Sequence, residues 1–215
     1  MAMKRLVQFL SLAVAVGVWA SPAQASISLT LDSYNVQGLN SDPGLVVETS
    51  NLLPQPYTFD LSVGQSITVP LFRIWTDETA HNPDDSVERP ISVDFSFTKP
   101  EPAFGGSVDG GTSAVTGFVW IFPYSAGHVD WDGSSFLSFG PNGDGLLRVS
   151  LSEEYFNGSL VGGFKPGEKH GSTVKAKFKL LAEPTVVPET SSILVWSVIG
   201  LGVGLVAYRH QRSAA

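Results

Sequence analysis

Apolar and polar residues alternate strictly over much of this chain. Ile27, Leu29 and Leu31 alternate with Ser28 and Thr30, and Tyr57, Phe59, Leu61 and Val63 alternate with Thr58, Asp60 and Ser62. The same period recurs at Ile67, Val69 and Leu71, at Ile91, Val93, Phe95 and Phe97, and at Val174, Ala176, Phe178 and Leu180. A two-residue period turns one face of an extended strand inward and leaves the other in water. Weaker runs predict further strands at residues 45–49, 115–122, 129–131, 136–139 and 146–152. No stretch of the body keeps a 3.6-residue period. Turn chemistry separates the runs: Gly64-Gln65, Asn82-Pro83-Asp84, Asp130-Trp131-Asp132-Gly133 and Asn142-Gly143-Asp144-Gly145. Gly105-Gly106-Ser107-Val108-Asp109 reads as a flexible glycine loop. About ten short strands, each with one apolar face, predict an all-β domain over residues 26–181. The expected architecture is an antiparallel β-sandwich, Ig-like or jelly-roll-like. Lys175, Lys177 and Lys179 alternate with the apolar residues of the last run, as on a solvated outer face or a protected edge.

Both ends of the chain break this pattern. Lys4 and Arg5 precede an apolar run of about 15 residues, short for a bilayer span. Ser21 and Pro22 end it, and Ala23-Gln24-Ala25 supplies the small-residue cleavage pattern of a secretory signal. Residues 1–25 are therefore expected to be removed by Sec-type export, with Ser26 as the first mature residue. At the other end, residues 182–187 read as a linker. An uncharged run at 193–208 follows, and then Arg209, His210 and Arg212. At ~1.5 Å per residue a helix over that run reaches roughly 24 Å, just enough for a thin bilayer core. The basic tail places its end in the cytoplasm and the body outside the inner membrane. Gly200 and Gly204 form a G-x-x-x-G pair within the predicted helix.

The segment Val187-Pro188-Glu189-Thr190-Ser191-Ser192, then a glycine-rich apolar helix, then a short basic tail, resembles the PEP-CTERM sorting signal of bacterial exported proteins. The resemblance covers residues 187–212. Pro188 and Glu189 match the first two motif positions, and Thr190 stands where the family usually has a second Pro. The resemblance implies an exosortase-like membrane protease that cuts at the motif and passes the protein to the envelope or matrix. A sortase signal, L-P-x-T-G, would need Leu at Val187 and Gly at Ser191. A plain anchor that is never cut is the remaining alternative. The body carries Phe59-Asp60-Leu61-Ser62-Val63-Gly64-Gln65-Ser66, Ile74-Trp75-Thr76-Asp77-Glu78 and Asp84-Asp85. In these pieces it resembles β-sandwich ectodomains found in front of such tails, which implies a fold and no reaction.

Composition narrows the chemistry. No cysteine excludes disulfides, thiolate metal sites and a thiol nucleophile. Between residues 26 and 187 nine basic residues face nineteen acidic ones, a net of −10. Nucleic-acid binding needs a basic footprint, and this body has none. No H-E-x-x-H, G-x-S-x-G or phosphate-loop motif occurs. The most polar stretch, residues 76–88, holds Asp77, Glu78, Asp84, Asp85 and Glu88 beside His81. Hard cations take six to eight oxygens, so Asp77, Glu78, Asp84 and Asp85 are candidate Ca²⁺ ligands, against a plain solvated loop.

Trp75, Trp120, Trp131, Phe118, Phe122 and Tyr124 could form a carbohydrate-binding face if exposed. Alternation puts Trp120 on one face with Phe118 and Phe122, so these are expected in the core. Asn157-Gly158-Ser159 matches a glycosylation sequon, which carries no meaning in a bacterium. The expected function is that of an exported, non-enzymatic envelope or matrix protein without a resident cofactor. A carbohydrate- or calcium-dependent adhesion module, with surface polysaccharide as partner, is the alternative. A glycosidase-like pair of carboxylates is the third.

Overall fold

In the computed structural model, which describes residues 26–39 and 43–185, the body is all-β. The expected signal segment with Ala23 and Ala25, the motif Val187, Pro188, Glu189 and Thr190, and the helix at 193–208 lie outside the described residues. Ser26 is described and exposed. No helix among the described residues is long and apolar enough to cross a membrane.

The strands are β1 (Ile27–Gln37), β2 (Glu48–Asn51), β3 (Tyr57–Leu61), β4 (Ser66–Trp75), β5 (Arg89–Lys99), β6 (Phe104–Val119), β7 (Phe122–Trp131), β8 (Ser134–Phe139), β9 (Gly145–Leu151), β10 (Glu154–Ser159) and β11 (Ser172–Ala182). They form two antiparallel sheets. The six-stranded sheet runs β10-β7-β6-β5-β1-β3, and the five-stranded sheet runs β2-β4-β11-β9-β8. Their buried faces share one apolar cluster. Phe178 of β11 is its pivot, with ring centroids 5.2 Å from Phe59, 5.9 Å from Phe95 and 6.0 Å from Phe97. These three rings belong to the opposite sheet, so the alternation read along β3, β5 and β11 is what lets the two layers meet.

The structure narrows one sequence reading and corrects another. β11 lies between β4 and β9, so its lysines decorate a solvated outer face and not a sheet edge. The glycine stretch 105–109 is not a loop but part of the first half of β6, paired with β5, and pairing with β7 begins at Gly110. Its glycines are there for close approach. A Cβ on Gly105 would come within 2.3 Å of the Phe95 carbonyl oxygen, and one on Gly110 within 2.2 Å of that of Asp130. β10 lies in a stretch where no strand was expected.

The strand registers also set which parts share a pole. Phe104 opens β6 stacked on Phe139, beside Gly140 and Pro184. Thr185 donates its N–H to Asp144 Oδ2 at 3.0 Å, so the first residues of the expected linker are held against the body. Ile27 pairs with Leu61, and Gly64 donates to the Leu180 carbonyl at 2.8 Å. Both described ends of the chain therefore lie at this pole. β6 leaves it and ends at the opposite one, sixteen residues on. That is at most roughly 50 Å of strand.

Tyr34 gives a test of the packing. It is buried, and its hydroxyl donates to the Leu71 carbonyl across the layers. Burial raises its phenol above the ordinary tyrosine value, against the pull of nearby hydrogen bonds. A group whose folded pKa is raised contributes stability below its unfolded value and loses it above. Denaturant melts should therefore show stability falling as pH rises past about 10. Tyr34→Phe should flatten that alkaline slope.

Candidate binding surface

The β6–β7 hairpin runs past the core. Ala114 is the last buried residue of β6, and everything from Thr116 to Pro123 is exposed. Pairing continues to the end: Gly117 with Tyr124, Phe118 with Pro123, Val119 with Phe122. Trp120 and Ile121 form the turn. Phe118 is 77% exposed, Trp120 93%, Ile121 83% and Phe122 55%, with Val119 also exposed. The expectation that Phe118, Trp120 and Phe122 pack in the core is thus overturned. The predicted strand 115–122 is the end of one strand, a turn and the start of the next. Only Trp131 of the aromatic set is buried, donating its indole N–H to the Ser152 carbonyl at 3.1 Å. Trp75 and Tyr124 are part-exposed.

The apex is strained. Trp120 has φ 62°, in the left-handed region. Hairpin turns put Gly, Asn or Asp there, because a Cβ costs about 1–2 kcal/mol. At roughly 200 Å² per aromatic side chain, Phe118, Trp120 and Phe122 expose on the order of 450 Å² of apolar area. The largest patch on an ordinary monomer is about 300–600 Å² and is often functional. At ~25 cal/mol per Å², the fold forgoes roughly 11 kcal/mol of burial there. That is comparable to the whole stability of a typical domain, about 5–15 kcal/mol.

A second loop joins the tip. β10 pairs with β7 as far as Ser159 with Ser125, and Leu160 and Val161 follow, the latter 84% exposed. Between this loop and the hairpin lies an open cleft of about 760 Å³, lined by Phe118, Tyr124, His81, Thr79 and Gly163 among others. The loop is held by Phe164, whose N–H donates to the Thr79 carbonyl at 3.1 Å, and by Gly163, where a Cβ would sit 2.2 Å from the same oxygen.

Asn157 fixes the base of this end. It is fully buried at φ 54°. Its Oδ1 accepts from Thr76 N–H at 3.0 Å, and its Nδ2 donates to the carbonyls of Thr76 and Gly167, each at 3.2 Å, and to that of Lys165. The sequon amide is thus wholly occupied within the protein. Sequence reasoning gave Asn157, Leu160, Val161, Val119 and Ile121 no role. One signal was present: Phe118-Val119-Trp120-Ile121-Phe122 is unbroken apolar, whereas a half-buried strand alternates.

The acidic segment is tied into the backbone around it. Pro83–Ser86 is a single 3₁₀ turn entered at Asn82. Asp85 is buried and accepts from Asn82 N–H at 2.7 Å. Asp84 accepts from Gly44 N–H at 3.1 Å, and Glu78 from Val46 N–H at 2.8 Å. These carboxylates pin residues 44–46 to the exit of β4, while Asp77 is exposed. Asp77, Glu78 and Asp85 line an open cleft of about 450 Å³. Among the described residues no group of three or more His, Asp or Glu is placed to hold a metal ion.

No protein-family model matches the chain, and no curated protein or solved structure does either.

Asn157→Ala would take away the partner of the Thr76 N–H and of the Lys165 carbonyl, while the carbonyls of Thr76 and Gly167 would keep the N–H groups of Gly167 and His170. Each orphaned group costs about 1–3 kcal/mol, so a loss of at least ~2 kcal/mol is expected in denaturant unfolding. Native-state proteolysis should then open first near residues 160–167.

Proposed function

We propose that this chain is an exported envelope or matrix interaction protein whose adhesive element is the β6–β7 tip. In this reading residues 1–25 direct export, and the PEP-CTERM-like tail, with Pro188 and Glu189 as its motif, engages an exosortase-like protease. The body, as an Ig-like or jelly-roll-like β-sandwich, is a rigid stalk. The ring contacts of Phe178 with the opposite sheet support the sandwich.

The observation that carries the adhesive role is Trp120. A large apolar side chain stands almost fully in water on a strained backbone. Neither burial nor turn preference selects it, so selection for contact with something else accounts for it. The reading needs no catalytic group. It favours binding through the tip over binding through the acidic segment, whose carboxylates already serve the backbone.

Trp120→Asn separates the two demands, because Asn tolerates the left-handed region. Thermal melts should show stability unchanged or raised by up to ~1 kcal/mol. In the producing cell, the mature form beginning at Ser26 should shift from the envelope fraction to the medium. A variant that loses stability, or that stays in the envelope like the parent protein, would count against the tip as the adhesive element.

A further inference from the structure

Resting on that reading of the tip, the geometry points to its partner: we propose that the β6–β7 hairpin, with Leu160 and Val161 beside it, inserts into the interface of a lipid bilayer. Four features select this occupant. The first is charge. Residues 110–127 and 158–164 contain no Asp, Glu, Lys or Arg, although the body as a whole is strongly acidic. Sugar recognition sets a few polar side chains beside an aromatic platform, and the exposed side chains of the quintet 118–122 carry no polar group except the indole N–H.

The second feature is exposure on both faces. Successive strand residues point to opposite sides, yet Phe118 and Val119 are both exposed, as is Phe122 across from Val119. A docking partner covers one face of a hairpin; a fluid apolar medium surrounds it. Third, half of the tip's backbone is already paired. The two strands pair internally to their last rung, Val119 with Phe122. Inward-facing N–H and C=O groups therefore need nothing from the lipid, while the outward-facing ones, beyond the reach of β5 and β10, keep the tip at the hydrated interface and out of the hydrocarbon core.

Fourth, the dimensions fit. From the Gly117–Tyr124 rung to the apex is three residues, roughly 10 Å of strand. Interfacial elements bury their apolar face by about 5–10 Å. At that depth Tyr124 sits at headgroup level, where tyrosine is favoured. Val161 supplies a second contact point beside the hairpin. The last described residue, Thr185, is tied to Asp144 at the opposite pole, a strand length from the tip. With no cation at the tip, the attraction is hydrophobic and not electrostatic.

The test uses the full chain and neutral phosphatidylcholine vesicles. Subtracting the emission of Trp120→Asn from that of the parent protein isolates the Trp120 signal from the other tryptophans, including Trp196 in the tail. Vesicles should shift that difference spectrum to the blue, equally at low and high salt. Val161→Ser keeps the fluorophore and the fold, because Val161 is exposed, and should raise the lipid concentration needed severalfold. A Trp120 signal that stays at its aqueous position with vesicles but shifts with the host's polysaccharide or envelope proteins overturns the lipid partner and leaves the adhesive tip standing. A signal that nothing shifts overturns both. A shift with vesicles that high salt abolishes would overturn the hydrophobic mode.

Discussion

The amide of Asn157 is sealed inside the protein, and each of its polar atoms is answered there. A buried amide left unanswered costs more than most single contacts return, so this one dictates its surroundings. Through it β10, in one sheet, is joined to the exit of β4, in the other, and to the loop at 165–167. Phe178 holds the two layers together by apolar contact, which is strong but tolerant of small shifts. Asn157 adds directional bonds at the pole that carries the tip. The loop bearing Leu160 and Val161 is therefore held beside the hairpin, and the acidic segment is held behind it.

The sequence announces the core and hides that pole. Alternation located β1, β3, β4, β5 and β11 because each has one face in the core and one in water. It failed on β6 for two opposite physical reasons. In the first half, glycines replace side chains so that neighbouring strands can approach, and glycine normally signals a loop. In the second half, both faces are apolar and neither is buried, so a rule that equates apolar with inside puts Trp120 in the core. Asn157 looked like a sequon because sequence cannot show that its amide is spent on three carbonyls and an N–H. The backbone partners of the acidic segment were hidden in the same way: Gly44, Val46 and Asn82 each give one of its carboxylates an ordinary N–H.

These features give the molecule two distinct poles. One holds both described chain ends, with Thr185 fastened to Asp144; hydrogen bonds from Thr185 hold that carboxyl below its ordinary range. The other carries the strained, uncharged tip. In the proposed account the first pole is where export and sorting act, and the second is where the delivered protein makes contact. In that account the paired sheets set a distance between two attachments. The same division explains why the tip tolerates a turn residue that the fold itself would reject.

The central claim is that the tip is free in the isolated chain and covered where the protein works. Hydrogen–deuterium exchange of the full chain, alone and with envelope membranes from its producing cell, addresses this without naming the partner. The account predicts new protection confined to residues 115–125 and 158–164, with exchange at 140–145 unchanged. Protection at the opposite pole, or none at the tip, would contradict it.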